Sequence, residues 1–350
     1  MNKKKIFIVA GGTGGHIFPG LAVANALKDR YDIIWIASKH GIENFIVGKN
    51  FIYLVNIDIL PFRKKGVNLI KFPFYFLKSL VQSLYILYKY KPFCVMSFGG
   101  YVSFPISIVA KILGKKLVIH EQNKIAGLTN KILNYFANKT LTAYNNVLNL
   151  KNTIVVGNPI RDDLLNVKSI HERYDLLKQK IRILVVGGSL GARVFNQILP
   201  EILGNLNNVS SIIHQYGSDD ITDIDLMYQD SKIPVEKIKF IDNMADVYSK
   251  VDLVICRAGA LTVSEVASIG VAAIFVPYPY AVDDHQRHNI SDIIANGSAI
   301  MVLQDNFTKE NLKEIIGSLT LEECFIMANK IKNFAINDSI VKIVDIVDNL

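Results

Sequence analysis

One design occurs twice in this chain and limits the folds open to it. The apolar run Lys5-Ile6-Phe7-Ile8-Val9-Ala10 ends in Gly11-Gly12-Thr13-Gly14-Gly15-His16 and passes into a helical pattern. After Lys180 the design restarts: Ile181-Arg182-Ile183-Leu184-Val185-Val186, then Gly187-Gly188-Ser189-Leu190-Gly191-Ala192-Arg193, then a helical pattern from Val194 to Leu203. Each copy reads as buried strand, tight turn and helix start. Continuously apolar strands of this kind belong to parallel sheets covered by helices on both faces. Glycines at the turn permit positive φ and let backbone N–H groups converge on an anion, at a helix end that carries partial positive charge. Phosphate recognition is therefore the first expectation.

The nicotinamide or flavin version of that expectation fits badly. Gly12 and Gly14 supply the first G-x-G, but Ile17 holds the third glycine position, and the run Ile33–Ala37 ends in Ser38-Lys39, where a ribose-binding acid is required. The loop contains no G-K-[ST], which removes a P-loop.

At 350 residues the chain is long for one core, so two domains are expected. Apolar runs at Ile6–Ala10, Ile33–Ala37, Ile52–Val55, Cys94–Ser97, Leu117–His120, Thr140–Thr142 and Ile154–Val156 read as strands of the first domain, residues 1–160. Gly157-Asn158-Pro159-Ile160-Arg161 breaks the pattern, and a charged helical segment from Asp162 to Lys180 follows. In the second domain, residues 161–335, strands are expected at Ile181–Val186, Ser211–Gln215, Ile238–Phe240, Leu253–Cys256, Ala273–Val276 and Ala299–Val302. The stretch from Cys324 to Leu350 reads as helical throughout, and residues 336–350 are expected to pack back on the first domain. The overall expectation is an α/β chain of two Rossmann-like domains facing a central cleft.

The composition, 50% hydrophobic and 20% charged, excludes disorder. Three widely spaced cysteines, Cys94, Cys256 and Cys324, support neither a disulfide framework nor a zinc site. Met1 to Lys5 runs straight into a short strand without a long apolar region or cleavage site, so no signal peptide is read. Between Asp58 and Glu121 there is no acidic residue, while Arg63, Lys64, Lys65, Lys71, Lys78, Lys89, Lys91, Lys111, Lys115 and Lys116 outweigh the whole net charge of +8. Aromatic and aliphatic residues interleave with these cations, and no uncharged run approaches the roughly 20 residues of a spanning helix. Phe62 to Lys91 is read as a contact with an anionic membrane surface, with a core helix bearing solvated lysines as the alternative. Nucleic acid is not expected, because no recognition motif accompanies the charge.

Several strand ends carry candidate chemistry. His16 lies in the first turn of a helix, where the imidazolium is disfavoured and the neutral ring can accept a proton; a structural bond to the glycine loop is its rival role. Gly99-Gly100-Tyr101 and His120-Glu121-Gln122-Asn123 follow two further strands toward the same edge. In the second half Ser189 and Arg193 suit a diphosphate. Glu265, one turn into the helix beginning near Ala260, is placed to accept from both hydroxyls of a ribose, or to complement the helix dipole. Gln286 can donate and accept toward sugar hydroxyls. Asp223-Ile224-Asp225 has a D-x-D form but sits in an acidic loop, and no metal is expected.

The segments GGTGGHIFPGLAVA, SFGGYVSFP, HEQNKIAGLTNK, GNPIR, GGSLGAR, CRAGALTVSE and DDHQRHN, spread from Gly11 to Asn289, resemble the MurG glycosyltransferases of bacterial cell-wall synthesis. The resemblance implies a GT-B fold and an inverting, metal-independent transfer of N-acetylglucosamine from UDP-N-acetylglucosamine, without a cofactor. The acceptor it implies is the C4 hydroxyl of undecaprenyl-pyrophosphoryl-N-acetylmuramyl-pentapeptide (lipid I), giving lipid II. It implies a peripheral location on the cytoplasmic face of the bacterial inner membrane, among other cell-wall synthesis proteins. Another two-domain UDP-sugar enzyme, an epimerase or glycolipid transferase, is the alternative.

Carried onto this sequence, the resemblance makes His16 the candidate base. Donor contacts fall on Thr13, Gly14, Gly15, Asn123, Arg161, Ser189, Ile241, Ala260, Leu261, Thr262, Glu265 and Gln286. The backbone near Ile241 is to read uracil, Glu265 the ribose, Ser189 and Ala260–Thr262 the diphosphate, and Gln286 the sugar. Gly12, Gly14, Gly15, Gly99, Gly100 and Tyr101 are to hold the acceptor pyrophosphate. Two positions depart from the family pattern: Leu190 stands in place of a glutamine, and Ala272 in place of a proline.

Overall fold

The apolar runs become strands of two parallel sheets in the computed structural model, which describes residues 3–50, 52–60, 67–188, 191–218 and 223–350. The chain divides into one unit formed by Met1–Ile160 with Ile336–Leu350 and another formed by Arg161–Ala335.

In the first unit the strands are β1 (Lys5–Val9), β2 (Asp32–Ser38), β3 (Tyr53–Ile57), β4 (Cys94–Ser97), β5 (Lys116–Glu121), β6 (Lys139–Thr142) and β7 (Thr153–Val155). They pair in the order β3-β2-β1-β4-β5-β6-β7, parallel throughout. The crossovers carry helices α1 (Gly14–Leu27), α2 (Glu43–Gly48), α3 (Val67–Tyr90), α4 (Ser103–Ile112) and α5 (Leu128–Leu133). Alternate residues of β1 serve opposite cores, which is why the run is apolar without a break. Ile6 and Ile8 join Ile17, Val23 and Leu27 of α1 on one face, while Phe7 and Val9 join Val102 and Ile106 on the other. The close helix–sheet approach missing at Ile17 is made one turn later. A Cβ on Gly20 would stand 2.9 Å from the Trp35 ring and 3.3 Å from Ile8, so glycine lets α1 lie against the sheet.

The second unit repeats the scheme. Short helices α6 (Asp162–Leu165) and α7 (Ile170–Arg173) precede β8 (Ile181–Val186), α8 (Arg193–Leu203), β9 (Val209–Gln215), α9 (Ile224–Met227), β10 (Val235–Ile238), α10 (Met244–Ser249), β11 (Leu253–Cys256), α11 (Ala260–Ile269), β12 (Ala272–Phe275), α12 (His285–Ala295), β13 (Ile300–Met301), α13 (Lys309–Ser318) and α14 (Leu321–Lys332). The sheet order is β10-β9-β8-β11-β12-β13, again parallel. After α14 the chain returns to the first unit with α15 (Ser339–Asp348), whose Asp348 bonds the Tyr31 hydroxyl at 2.8 Å and pairs with Arg30.

Three expectations change. The edge strand is Val235–Ile238, not Ile238–Phe240: Val235 pairs with Ile212 and Ile238 with Gln215, and the chain has left the sheet by exposed Phe240. From Asp162 to Lys180 there are two four-residue helices and a single 3-10 turn instead of one helix. The helical C-terminus is interrupted between Lys332 and Ser339.

Candidate functional site

In both sheets the strand order reverses beside the first strand of the unit, between β1 and β4 and between β8 and β11. Loops leaving the carboxyl ends of those strands flank a topological switch point, the usual ligand position in open α/β sheets. Most of the sequence-derived candidates lie on these loops or the helices that follow them. Thr13, Gly14, Gly15 and Asn123 belong to the first unit, and Arg161, Ile241, Ala260, Leu261, Thr262, Glu265 and Gln286 to the second. Ser189, Leu190 and the start of the basic stretch, Phe62 to Gly66, lie outside the described residues.

In the first unit Thr13 caps α1 in extended conformation, and its carbonyl accepts from His16 N–H at 3.1 Å and Ile17 N–H at 3.2 Å. This leaves the amides of Gly14 and Gly15 in the open first turn. The Thr13 hydroxyl lies 3.2 Å from His16 Nδ1. The other edge of the imidazole lies against Gly99, where a Cβ would come within 3.1 Å of Cδ2 and 3.2 Å of Nε2. Gly99 thus makes room for His16. Gly99 and Gly100 both have positive φ, +93° and +84°, and a Cβ on Gly100 would stand 2.2 Å from the Gly11 carbonyl oxygen.

Two of the proposed pyrophosphate donors face inward. Gly12 N–H donates to Glu43 Oε2 at 3.3 Å, and Gly99 N–H to Ser97 Oγ at 3.4 Å. These glycines shape the turn, whereas Gly14 and Gly15 present its N–H groups. Tyr101 is half-buried with its hydroxyl 2.9 Å from Ser38 Oγ, and burial raises its phenol above the ordinary range.

Beyond β5, buried Glu121 organises the next loop. Its Oε1 accepts from Asn123 N–H at 3.0 Å and Asn123 Nδ2 at 3.2 Å; its Oε2 accepts from Gly127 N–H at 3.0 Å and Asn130 Nδ2 at 2.9 Å. His120 Nε2 lies 2.9 Å from the Gly157 carbonyl and Nδ1 lies 3.2 Å from Gln122 Nε2, a pattern that fits a neutral ring protonated at Nε2. Burial pushes this imidazole down to about 4, against the opposing effects of the Gly157 carbonyl and Glu121.

In the second unit α11 starts one residue past Gly259, with Val263 N–H to Gly259 O at 2.9 Å as its first-turn bond. The amides of Leu261 and Thr262 consequently face the open end of the helix. Glu265 follows one turn on. Among the described residues no hydrogen bond or ion pair engages its carboxyl, and burial raises it to about 7, with Arg161 lowering it and Asp163 raising it further. The Tyr248 hydroxyl nearby is fully buried with no hydrogen-bond partner among the described residues, and its raised pKa reflects burial first and Glu265 second. Arg161 also reaches the carbonyl of Asp242 at 3.4 Å, beside Ile241. The second unit therefore brings Arg161, Ile241 and Glu265 into one neighbourhood.

Gln286 behaves differently from the sequence expectation. Its Oε1 accepts from Ala258 N–H at 3.2 Å and Tyr278 N–H at 2.8 Å, so the backbone occupies its acceptor and only the amide NH2 remains for a sugar. Arg257, missed in the sequence, braces the same loops. It donates to the carbonyls of Val276 (3.2 Å) and Pro277 (3.4 Å) and to Gln304 Oε1 (2.7 Å), and its guanidinium lies 4.8 Å from the Phe195 ring centre. Burial brings this guanidinium down to about 10. Arg193 opens α8 with an exposed side chain.

The D-x-D carboxylates are otherwise occupied. Asp223 caps α9 by accepting from the amides of Asp225 and Leu226, both at 3.1 Å, and Asp225 pairs with Lys237. Among the described residues no cluster of histidine, cysteine or acidic side chains is arranged to hold a metal.

On α3 the residues Phe74, Leu77, Val81, Leu84, Tyr85 and Tyr88 are exposed at helical spacing, a stripe of one face. No helix among the described residues is long and apolar enough to cross a membrane.

Two Rossmann-like units with glycine turns at their switch points make up a GT-B fold. A crystal structure of MurG from Acinetobacter baumannii has the same fold, with a TM-score of 0.87 and 35% identity, covering 99% of this chain and 100% of that one. Residues 6–142 match the glycosyltransferase family 28 N-terminal domain and residues 182–347 the glycosyltransferase family 28 C-terminal domain. The chain belongs to glycosyltransferase family 28. It is 40% identical to the UDP-N-acetylglucosamine--N-acetylmuramyl-(pentapeptide) pyrophosphoryl-undecaprenol N-acetylglucosamine transferase of Cupriavidus necator, over 99% of this chain and 98% of that protein. The enzyme of the same name from Haemophilus influenzae is 38% identical, over 99% of each.

Proposed function

We propose that this protein transfers N-acetylglucosamine from UDP-N-acetylglucosamine to the C4 hydroxyl of lipid I, forming lipid II and UDP with inversion at the anomeric carbon. The observation that carries the reading is end-to-end similarity, 40% over 99% of the chain, to an enzyme named for that transfer. In one displacement the acceptor O4 attacks C1 of the sugar, the bond from C1 to the diphosphate breaks, and the O4 proton passes to His16. His16 suits that role through its place in the first turn of α1 and the Thr13 contact on Nδ1.

The leaving diphosphate develops charge that fixed donors must meet. The first turn of α11 supplies backbone N–H groups, Ser189 a hydroxyl, and Glu265 a carboxylate for the ribose hydroxyls. Gln286 donates to the sugar, and Arg161 and the backbone near Ile241 serve the nucleoside end. In the first unit Gly14, Gly15 and the Gly100–Tyr101 turn serve the acceptor pyrophosphate. The scheme calls on no metal or cofactor, and in it the D-x-D carboxylates keep the roles of capping α9 and pairing with Lys237.

The lipid substrate calls for a membrane contact. The exposed stripe of α3, with Lys89 and Lys91 near its end, offers apolar residues to the interface and cations to anionic headgroups on the cytoplasmic face of the inner membrane. The test is formation of labelled lipid II from UDP-[14C]N-acetylglucosamine and defined lipid I, with and without EDTA. Transfer that persists in EDTA is the expected result. Epimerisation of the donor without acceptor, or strict dependence on Mn2+, would overturn the corresponding part of the reading.

A further inference from the structure

Glu43 is a fully buried carboxylate at the start of α2, and the catalytic scheme does not use it. Its Oε1 accepts from Ser38 N–H at 2.9 Å and from the Ser38 hydroxyl at 2.7 Å, while its Oε2 accepts from Gly12 N–H at 3.3 Å. Because the Ser38 hydroxyl donates to Glu43, its lone pair receives the Tyr101 hydroxyl at 2.9 Å. One carboxylate therefore joins the loops that follow β1, β2 and β4.

The fit around it depends on missing side chains. A Cβ on Gly11 would stand 2.6 Å from Glu43 Oε1, and a Cβ on Gly41 2.1 Å from the same atom. Gly11 thus admits this carboxylate, while Gly100, whose Cβ would stand 2.2 Å from the Gly11 carbonyl oxygen, admits the Gly11 backbone. A buried carboxylate needs donors for its oxygens, and the three that reach this one come from the Gly12 turn and from Ser38 at the end of β2. The position of each loop is consequently tied to the two oxygens of Glu43.

We propose that Glu43 is a positioning residue for the acceptor side of the reaction: by fixing Gly12 and, through Ser38, Tyr101, it sets where the amides of Gly14 and Gly15 and the imidazole of His16 point. The proposal rests on the reading of the first unit as the acceptor-binding one. Glu43 touches no substrate in this scheme, and its effect passes through the backbone of the glycine turn.

Glu43→Gln is the informative change, because it keeps the shape and removes one acceptor. Its amide oxygen can still serve Ser38, but its NH2 then faces Gly12 N–H, donor against donor, or the reverse if the amide flips. The expected result is a fall of at least tenfold in kcat/KM for lipid I, with KM for UDP-N-acetylglucosamine within twofold of the parent. Ser38→Ala, a one-atom change, should give a smaller loss of the same kind, and it carries the test if Glu43→Gln does not fold. Retention of lipid I kinetics within twofold in the folded variant, or an equal loss toward both substrates, would overturn the proposal.

Hydrogen exchange supplies a readout free of substrate. Amides of the Gly11–Gly15 segment should exchange at least tenfold faster in Glu43→Gln than in the parent, and unchanged exchange would sink the positioning role. If the parent protein itself fails to glycosylate lipid I, the functional reading falls while the exchange result still decides the part played by Glu43.

Discussion

The backbone N–H of Tyr278 donates to Oε1 of Gln286 at 2.8 Å, and this bond, with its companion from Ala258, fixes which end of the amide faces outward. Gln286→Glu keeps an acceptor for both amides but replaces the outward NH2 with a second acceptor. The variant should fold normally, raise KM for UDP-N-acetylglucosamine about tenfold or more, and leave inhibition by free UDP almost unchanged. Steady-state kinetics with UDP as competitive inhibitor separates the two effects.

Glu265 predicts a pH dependence on the donor side. Its carboxyl titrates near 7, and only the ionised form accepts from both ribose hydroxyls, so UDP affinity should weaken as pH falls below about 7, approaching tenfold per unit. Calorimetric titration with UDP from pH 5.5 to 8.5 measures it, and Glu265→Gln should bind weakly with a flat profile. Because the folded value lies above the unfolded one, this group favours the folded state most at low pH, and that contribution is lost as pH rises through about 7. Glu265→Gln should therefore raise Tm at pH 8 while lowering affinity.

His16→Ala should lower kcat by roughly 100-fold or more while UDP affinity stays within twofold. Rapid-quench turnover with lipid I gives the first quantity and UDP titration the second. Unchanged turnover would remove His16 as the proton acceptor.

The neutral His120 ring predicts acid sensitivity of the first unit. Its folded value of about 4 lies below the ordinary 6.5, so the unfolded state binds the extra proton as pH drops between those values, and stability falls with it. The loss from this residue should reach about 2 kcal/mol at pH 5, read as a shift of the urea midpoint. His120→Gln should flatten the slope. In the second unit His214, lowered to about 3 by burial, acts with the same sign.

The α3 stripe predicts vesicle binding. Leu77→Glu combined with Val81→Glu should reduce sedimentation with anionic lipid vesicles about tenfold or more, without changing turnover of a water-soluble lipid I analogue. Equal binding by parent and variant would leave the helix as an ordinary surface.

Strands buried on both faces were legible from their unbroken apolar runs, as β1 and β8 illustrate. The edge strand β10 was not: Glu236 and Lys237 within it are exposed, and the neighbouring apolar pair Ile238 and Phe240 drew the boundary too late. Glu265 and Gln286 could be singled out because polar groups stood at strand ends, yet the acceptor side of Gln286 was taken by amides that no local pattern reveals. Glu43 was illegible for a related reason. A lone acid after Ser38-Lys39-His40-Gly41-Ile42 looks solvated, and its burial depends on distant Gly11 as well as on neighbouring Gly41. Similarly, Ile17 in the third glycine position concealed that Gly20 makes the close helix–sheet contact.

The Gly157 carbonyl receives both His120 Nε2 at 2.9 Å and the Ser339 hydroxyl at 3.0 Å, and a Cβ on Gly157 would stand 2.7 Å from Ile336. The chain thus leaves the first unit and rejoins it at the same spot, with Arg161–Ala335 built as one uninterrupted insertion. During synthesis the ribosome must finish that insertion before α15 emerges to complete the first core around Ile343, Val344 and Val347. The unit begun first is completed last, and a nascent chain stalled before residue 339 exposes the flank of α1 that this helix covers.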